Sequence, residues 1–345
     1  MKKTVKQVLG IDVAQNELVV SLGRMLADLS IEIYAYEVFS NREKDFSGLL
    51  SWVEKRVDVT VPVRYVMEAT GVYHEALAYF LDQAGQEVSL VLPNKISHYF
   101  KSLEVKTITD KTSSQTIAQF GLERKLEVWH RPQAIFKSLR QLTRERSQVM
   151  EERTVVMNQL HAEQAEAQPN ASSLVRIKKR IALLTEQALE IKKEIALCVK
   201  NDPPITQALA ILCSIPGVAM LTAATVLAET NGFEHVRNRR QLTSYAGLDV
   251  REKQSGTSVK GKTHISKRGN KYLRKAVHMP ALAAIRSEDR FKNVFINLVS
   301  KHGIKMKGVV AVQRKLLEMM YTLHKKKEFY QPTYLQKSEE QSFRK

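Results

Sequence analysis

The sequence is short of three things, and each shortage excludes something. It has two cysteines in 345 residues, Cys198 and Cys213, too few for a disulfide framework or a thiolate metal cluster, and both read as small buried apolar side chains. It has no run approaching the roughly 18 apolar residues that a membrane span needs. The basic start Met1-Lys2-Lys3 leads into an apolar stretch broken by Asp12, too short and interrupted for a signal peptide, so a reducing cytoplasm is the expected compartment. Acid is scarce as well: 36 Asp and Glu face 54 Lys and Arg, a formal charge of +18. A surplus of that size points to a polyanionic partner, because each phosphate neutralised by Lys or Arg releases counterions.

What is there suffices for two globular domains and a connecting element, with 43% of residues hydrophobic. Residues 1–130 alternate short strands and helices. Val8 to Val13, Leu18 to Leu22 and Ile31 to Phe39 read as strands, Phe46 to Val57 as a helix, Val63 to Met67 as a strand, and Tyr73 to Gln83 as a helix ended by Gly85. A strand from Val88 to Leu92 follows, stopped by Pro93, and then helices near Ile96 to Leu103 and Lys111 to Phe120. Three strands, then helix, strand, helix, strand, helix is the element order of the ribonuclease H-like fold, though other α/β folds share much of it. In 131–204, Leu174, Ile177, Ile181, Leu184, Ala188, Ile191, Ile195 and Cys198 repeat with 3,4 spacing, a coiled-coil seam. Leu139, Leu142, Val149, Val156 and Leu160 form a poorer one. The break Gln168-Pro169-Asn170 makes two long helices, which can pair within one chain or between chains. After Asp202-Pro203-Pro204 a mainly helical segment runs over 205–330, interrupted from 254 to 269 by glycine and serine, and 331–345 reads as a tail.

Two acids stand where strands end. Asp12 in Gly10-Ile11-Asp12-Val13 and Glu68 in Met67-Glu68-Ala69-Thr70-Gly71 are costly to bury without a positive partner. Asp110 begins a helix, where it either caps that helix or joins the other two. Three acids from two strand ends and a helix start can converge on a divalent ion, which suits polynucleotide cleavage by Mg²⁺ or Mn²⁺.

Further along, residues 236–275 concentrate cations: Arg239, Arg240, Lys253, Lys260, Lys262, Lys267, Arg268, Lys271 and Arg274 are candidate nucleic-acid contacts. Ser255, Ser258 and Ser266 lie among them, and a serine in such a field can attack a phosphodiester. The residues themselves do not choose among the three, and taken alone they favour a phosphate-gripping loop without chemistry. Cys213-Ser214-Ile215-Pro216-Gly217-Val218-Ala219 has the form of a helix-hairpin-helix turn that binds backbone phosphate, or of an ordinary turn between helices.

Taken in order, Gly10-Ile11-Asp12, Glu68-Ala69-Thr70-Gly71, Thr109-Asp110 with Ile117-Ala118, Ile215-Pro216-Gly217, Tyr245-Ala246-Gly247-Leu248, Ser255-Gly256 and Ser266-Lys267-Arg268-Gly269-Asn270 resemble the insertion-sequence family one-ten of DEDD transposases, which includes Piv-type DNA invertases. The likeness runs from about residue 5 to 325. It implies a ribonuclease H-like (RuvC-like) N-terminal domain, coiled-coil helices and a mainly helical C-terminal transposase domain. It implies Mg²⁺ on Asp12, Glu68 and Asp110, and a nucleophile at Ser255 that links covalently to DNA. It further implies a homodimer or homotetramer acting on double-stranded DNA under the direction of a structured guide RNA. The family's fourth acid is expected three residues after Asp110, where this chain has Ser113; a three-acid site results, with the Ser113 hydroxyl or water in the remaining place. The competing readings are a junction nuclease that hydrolyses with the carboxylates alone, and a catalytically silent nucleic-acid-binding protein.

Overall fold

The computed structural model describes residues 3–69, 71–103, 107–234, 236–252, 254–255, 259–261 and 263–332. The chain divides into two compact units, residues 1–131 and 132–345.

The first unit is built on one sheet. β1 (Thr4–Val13), β2 (Glu17–Leu26) and β3 (Ile31–Ser40) run antiparallel; after α1 (Phe46–Glu54), β4 (Val63–Glu68) returns parallel to β1, and after α2 (Glu75–Gln83), β5 (Glu87–Val91) lies parallel to β4. Across the sheet the order is β3-β2-β1-β4-β5, the ribonuclease H-like arrangement expected from the element order. α3 (Pro93–Phe100) opens with the proline that was expected to stop the strand, since Pro at the first helical position loses no hydrogen bond. α4 (Asp110–Glu123) follows.

Alternation along the strands divides the core into two layers. Leu9, Ile11 and Val13 of β1 and Tyr65 and Met67 of β4 pack with Phe46, Leu49, Leu77 and Leu81 of α1 and α2. Val8 and Val66 face the other way, against Ile117, Ala118 and Leu122 of α4. Small residues let α4 come close on that face: a Cβ on Gly121 would lie 2.8 Å from Val8 Cγ1 and 2.9 Å from Val66 Cγ2. Lys6 secures the helix's far end, its ammonium donating to the carbonyls of Gly121 at 2.6 Å and of Leu122 and Arg124 at 2.9 Å, which closes the C-terminal carbonyls that a helix leaves open.

The second unit begins with α5 (Ala134–Gln164) and α6 (Ala171–Lys200), which pair within the chain as an antiparallel hairpin, Arg153 bonding to Thr185 and Arg180 to Gln159. The base of the hairpin shares a core with the helices after it, as Phe136, Leu139, Ile191 and Ile195 pack with Leu212, Leu227 and Phe233. Those helices are α7 (Pro203–Cys213), α8 (Met220–Thr230), α9 (Arg239–Tyr245), α10 (Lys271–Ala276), α11 (His278–Ser287), α12 (Asp289–His302) and α13 (Lys305–Lys326). Between α9 and α10 the expected loop is an antiparallel ribbon: β6 (Val250–Arg251) pairs with β9 (His264–Ile265), and inside them β7 (Gln254–Ser255) pairs with β8 (Val259–Lys260). Strands of two residues carry no period from which sequence can reveal them.

Candidate active site

Strand register brings the first two acids together. Gly10 stands beside Val66 and Ile11 beside Met67 in the parallel β1–β4 pair; one step further stand Asp12 and Glu68. Both acids follow, by alternation, the face of Val8 and Val66, which is the face covered by α4. The register is fixed by burial, because a slip of one residue would turn Ile11 and Met67 out of the opposite core.

α4 supplies the rest. Its N-cap is Thr109, whose hydroxyl accepts from the Thr112 backbone at 3.2 Å while Thr112 Oγ1 accepts from the Thr109 backbone at 2.8 Å. The capping alternative for Asp110 is therefore corrected: the threonine pair satisfies the helix end, and Asp110 is the first helical residue. Ser113 lies one turn on, and its side chain favours the ionised form of the Asp12 carboxyl. Behind it, Ser114 and Ser21 share a buried hydroxyl contact of 2.8 Å that pins α4 to β2.

The electrostatics record how close the acids are. Burial, then the charges of Asp110 and Glu68, push the Asp12 carboxyl from 3.8 up to about 6, against the opposing effect of bonds from Ser113 and the Val13 backbone. Among the described residues, no three acids, histidines or cysteines form a closed ligand cluster; the acids meet through their charges. Asn41, which sequence reasoning missed, ties the loops beyond the two strand ends, its amide donating to Ala14 at 2.8 Å and to Tyr73 at 3.1 Å.

In the second unit, Ser255 lies on β7 opposite Val259. Ser258, Lys253 and Lys262 lie outside the described residues, and Lys260 pairs with Gln254 across the ribbon. Ser266 is a pin: its hydroxyl donates to the Asp249 carboxylate and its amide to the Asp249 carbonyl. This contact belongs to a wider clasp, in which Lys267 donates to Gly247 and Asn270 to Tyr245, so the motifs at 245–248 and 266–270 hold each other. Gly269 is required there, at φ 145°, where a Cβ would lie 2.4 Å from the Tyr245 carbonyl. Arg239, Arg240, Lys267, Arg268 and Lys271 are exposed; Arg274 is half-buried and donates to the Ala246 carbonyl at 2.7 Å. The turn after α7 packs inward, a Cβ on Gly217 falling 2.6 Å from the Pro280 carbonyl of α11. A second feature absent from the sequence reading is Glu229. Only 1% exposed, it takes a two-pronged bond from Arg144 at 2.7 and 2.8 Å and a third bond from Asn270.

Two family models match the chain: a transposase model of the DEDD IS110 type over residues 9–165, and the transposase IS116/IS110/IS902 family over 209–295. The pilin gene-inverting protein of Moraxella bovis is 26% identical over 92% of this chain and 95% of its own length. The insertion element IS110 43.6 kDa protein of Streptomyces coelicolor is 26% identical over 35% of this chain and 30% of its own. Of solved structures, Thermus thermophilus RuvC in complex with a Holliday junction substrate aligns over 36% of this chain and 100% of that one, at 11% identity and a TM-score of 0.27.

Proposed function

The chain belongs to the IS116/IS110/IS902 family of transposases, enzymes that cut and rejoin DNA, and on that footing we propose that it recombines the ends of its own insertion sequence through a divalent-metal carboxylate site and a covalent serine link. The observation that carries the reading is the gathering of charge at one sheet end: Asp12 beside Glu68, with Asp110 near enough to raise its pKa and Ser113 near enough to lower it.

The donors are all hard oxygens, and a half-buried carboxyl whose ionisation is opposed by its neighbours is what a divalent cation relieves, so the residues fit Mg²⁺ or Mn²⁺. Asp12, Glu68 and Asp110 would hold it, with Ser113 or water completing the set, and such a cation supplies Lewis-acid polarisation of a phosphate. Ser255 is the nucleophile. Its Oγ forms the bond to phosphorus as the bond to the leaving deoxyribose oxygen breaks; the hydroxyl proton ends on that oxygen. A strand hydroxyl then attacks the phosphoserine, restores the serine and rejoins DNA without an external energy source. Arg239, Arg240, Lys267, Arg268 and Lys271 grip backbone phosphates. A charge of +18 suits two polyanions at once, double-stranded DNA and a structured guide RNA from the element that pairs with donor and target. The enzyme acts in the cytoplasm, on the nucleoid, as a homodimer or homotetramer. Inversion, after which the Moraxella relative is named, is the same chemistry between two sites on one molecule.

The test is denaturing electrophoresis of the full chain with end-labelled element DNA, RNA transcribed from the element's flanks, and Mg²⁺. Wild type should yield a protein–DNA adduct that Ser255→Ala abolishes and Ser258→Ala preserves. Cutting without any adduct would mean plain hydrolysis and overturn the serine mechanism; no cutting by wild type would overturn the recombinase reading.

A further inference from the structure

β3 is an edge strand, and one of its residues occupies an unusual place. Tyr36 pairs with Ser21, which pairs with Gly10. Since Ser21 bonds to Ser114 of α4, this row of side chains lies on the α4 face, the face of the carboxylates. The next row runs Val38, Val19, Asp12. With strands about 4.8 Å apart and same-face rows about 6.7 Å apart, Tyr36 and Asp12 are separated by about 12 Å between Cα atoms. Tyr36 and Val38 are 40% and 42% exposed, so an aromatic ring and an apolar neighbour stand open to solvent on the side of the acids. Lys111, next to Asp110, places its ammonium 4.9 Å from the centre of the Tyr36 ring.

We propose that Tyr36 and Lys111 form a nucleotide subsite beside the carboxylates, the ring stacking on an unpaired base next to the scissile phosphate and the ammonium binding that nucleotide's phosphate. In the free protein the lysine covers the ring, a cation–π pair that keeps the side chain extended over the sheet edge. An arriving nucleotide replaces the ammonium on the ring with a base and draws it onto phosphate. Stacking on a side chain is available to every base and reads no sequence, which suits an enzyme whose sequence choice lies elsewhere. It also requires the base to leave its duplex, as strand exchange does next to the cut. Lys111 supplies a positive charge where three acids otherwise repel the backbone.

The subsite rests on the recombinase reading, and the experiment separates the two. In the full-length Asp12→Asn protein, element-end DNA carrying 2-aminopurine at successive positions around the mapped cut reports stacking through quenched fluorescence. Quenching is expected at a position beside the scissile phosphate, lost in Tyr36→Ala and retained in Tyr36→Phe. Tyr36→Ala should weaken binding about 5- to 10-fold, the lower part of the range for one base–aromatic stack. Lys111→Ala should reduce the salt slope of binding by about 1. Unchanged quenching and affinity in Tyr36→Ala, in a protein whose wild type cuts the same DNA, would overturn the subsite alone. A wild type that does not cut would overturn the recombinase reading and the subsite with it.

Discussion

No side chain fits between Gly10 and Ala118. A Cβ on Gly10 would lie 2.3 Å from the Ala118 backbone nitrogen and 2.3 Å from the Ser114 carbonyl, both backbone atoms that cannot swing aside. This contact seats α4 on β1 two residues before Asp12, and so sets where Asp110 and Ser113 stand. Gly10→Ala should therefore cost about 1–3 kcal/mol or more by overpacking and lower cleavage further than the stability loss explains. Chemical denaturation alongside single-turnover cleavage would check it; a folded Gly10→Ala protein with wild-type cleavage would mean that the helix is not positioned by this contact.

The Asp12 carboxyl carries a pH dependence whose sign is fixed. Its folded pKa is about 6, above the 3.8 of an ordinary aspartate, through burial first and the Asp110 and Glu68 charges second. A carboxyl raised in this way favours the folded state when protonated: the contribution is fully present below about pH 3.8 and is lost as pH rises through about 6. In chelator-treated protein, the melting temperature of wild type should fall relative to Asp12→Asn between pH 5 and pH 7. At pH 7.5 Mg²⁺ should raise the melting temperature of wild type and leave Asp12→Asn nearly unmoved. Parallel pH curves for the two proteins would refute the assignment of strain to Asp12.

Ser113 offers a hydroxyl where the family resemblance implies a fourth acid. Its side chain eases the ionisation of Asp12, where an acid would add a further negative charge. Ser113→Asp should then lower metal-free stability at neutral pH, by raising Asp12 further, and tighten Mg²⁺ binding, by adding a hard ligand. Calorimetric titration with Mg²⁺ reads the second effect directly. Weaker binding in a folded Ser113→Asp protein would show that the site has been rebuilt around the hydroxyl.

These side chains differ in how far the sequence reveals them. Asp12 and Glu68 are legible because an acid at the end of an apolar strand is locally anomalous, and the strand alternation that places them on one face is written in the same residues. The cap of α4 is equally local, yet the sequence offers Asp110 for it, and only backbone geometry gives the place to Thr109. Asn41, Lys6 and Glu229 are ordinary polar residues in sequence; their roles come from partners 27 to 118 positions away. The 3,4 repeat of α6 announces a partner helix without saying from which chain, and the six-residue link between α5 and α6 closes them on each other.

Glu229 should be the most sensitive position outside the candidate site. Its carboxylate is buried and held by Arg144 and Asn270, from α5 and the cap of α10, so three segments depend on it. Arg144→Ala leaves that charge without its cation and should cost about 3 kcal/mol or more. Arg144→Lys should recover only part, since an ammonium cannot form the forked pair. Urea unfolding of the full chain measures both; equal stability in all three proteins would mean that the network is dispensable.

α6 buries one side and, on the other, carries exposed apolar side chains among charged ones. Ile177, Ala188, Ile191, Ile195 and Val199 are buried. Val175, Leu183, Leu189 and Leu197 are 53 to 58% exposed, and at 100° per residue these four fall within an arc of about 120° opposite the buried side. Lys179, Glu186, Glu190 and Lys193 lie in the same arc, and apolar side chains flanked by both signs of charge suit pairing with another helix, which in a homodimer or homotetramer is the same face of another chain. The substitutions that test this must spare the inner seam, where Ile191 is 7% exposed and part of the core. Leu189→Asp/Leu197→Asp should preserve helicity and melting behaviour while lowering the mass measured by sedimentation velocity. An unchanged mass would place the association of chains on a different surface.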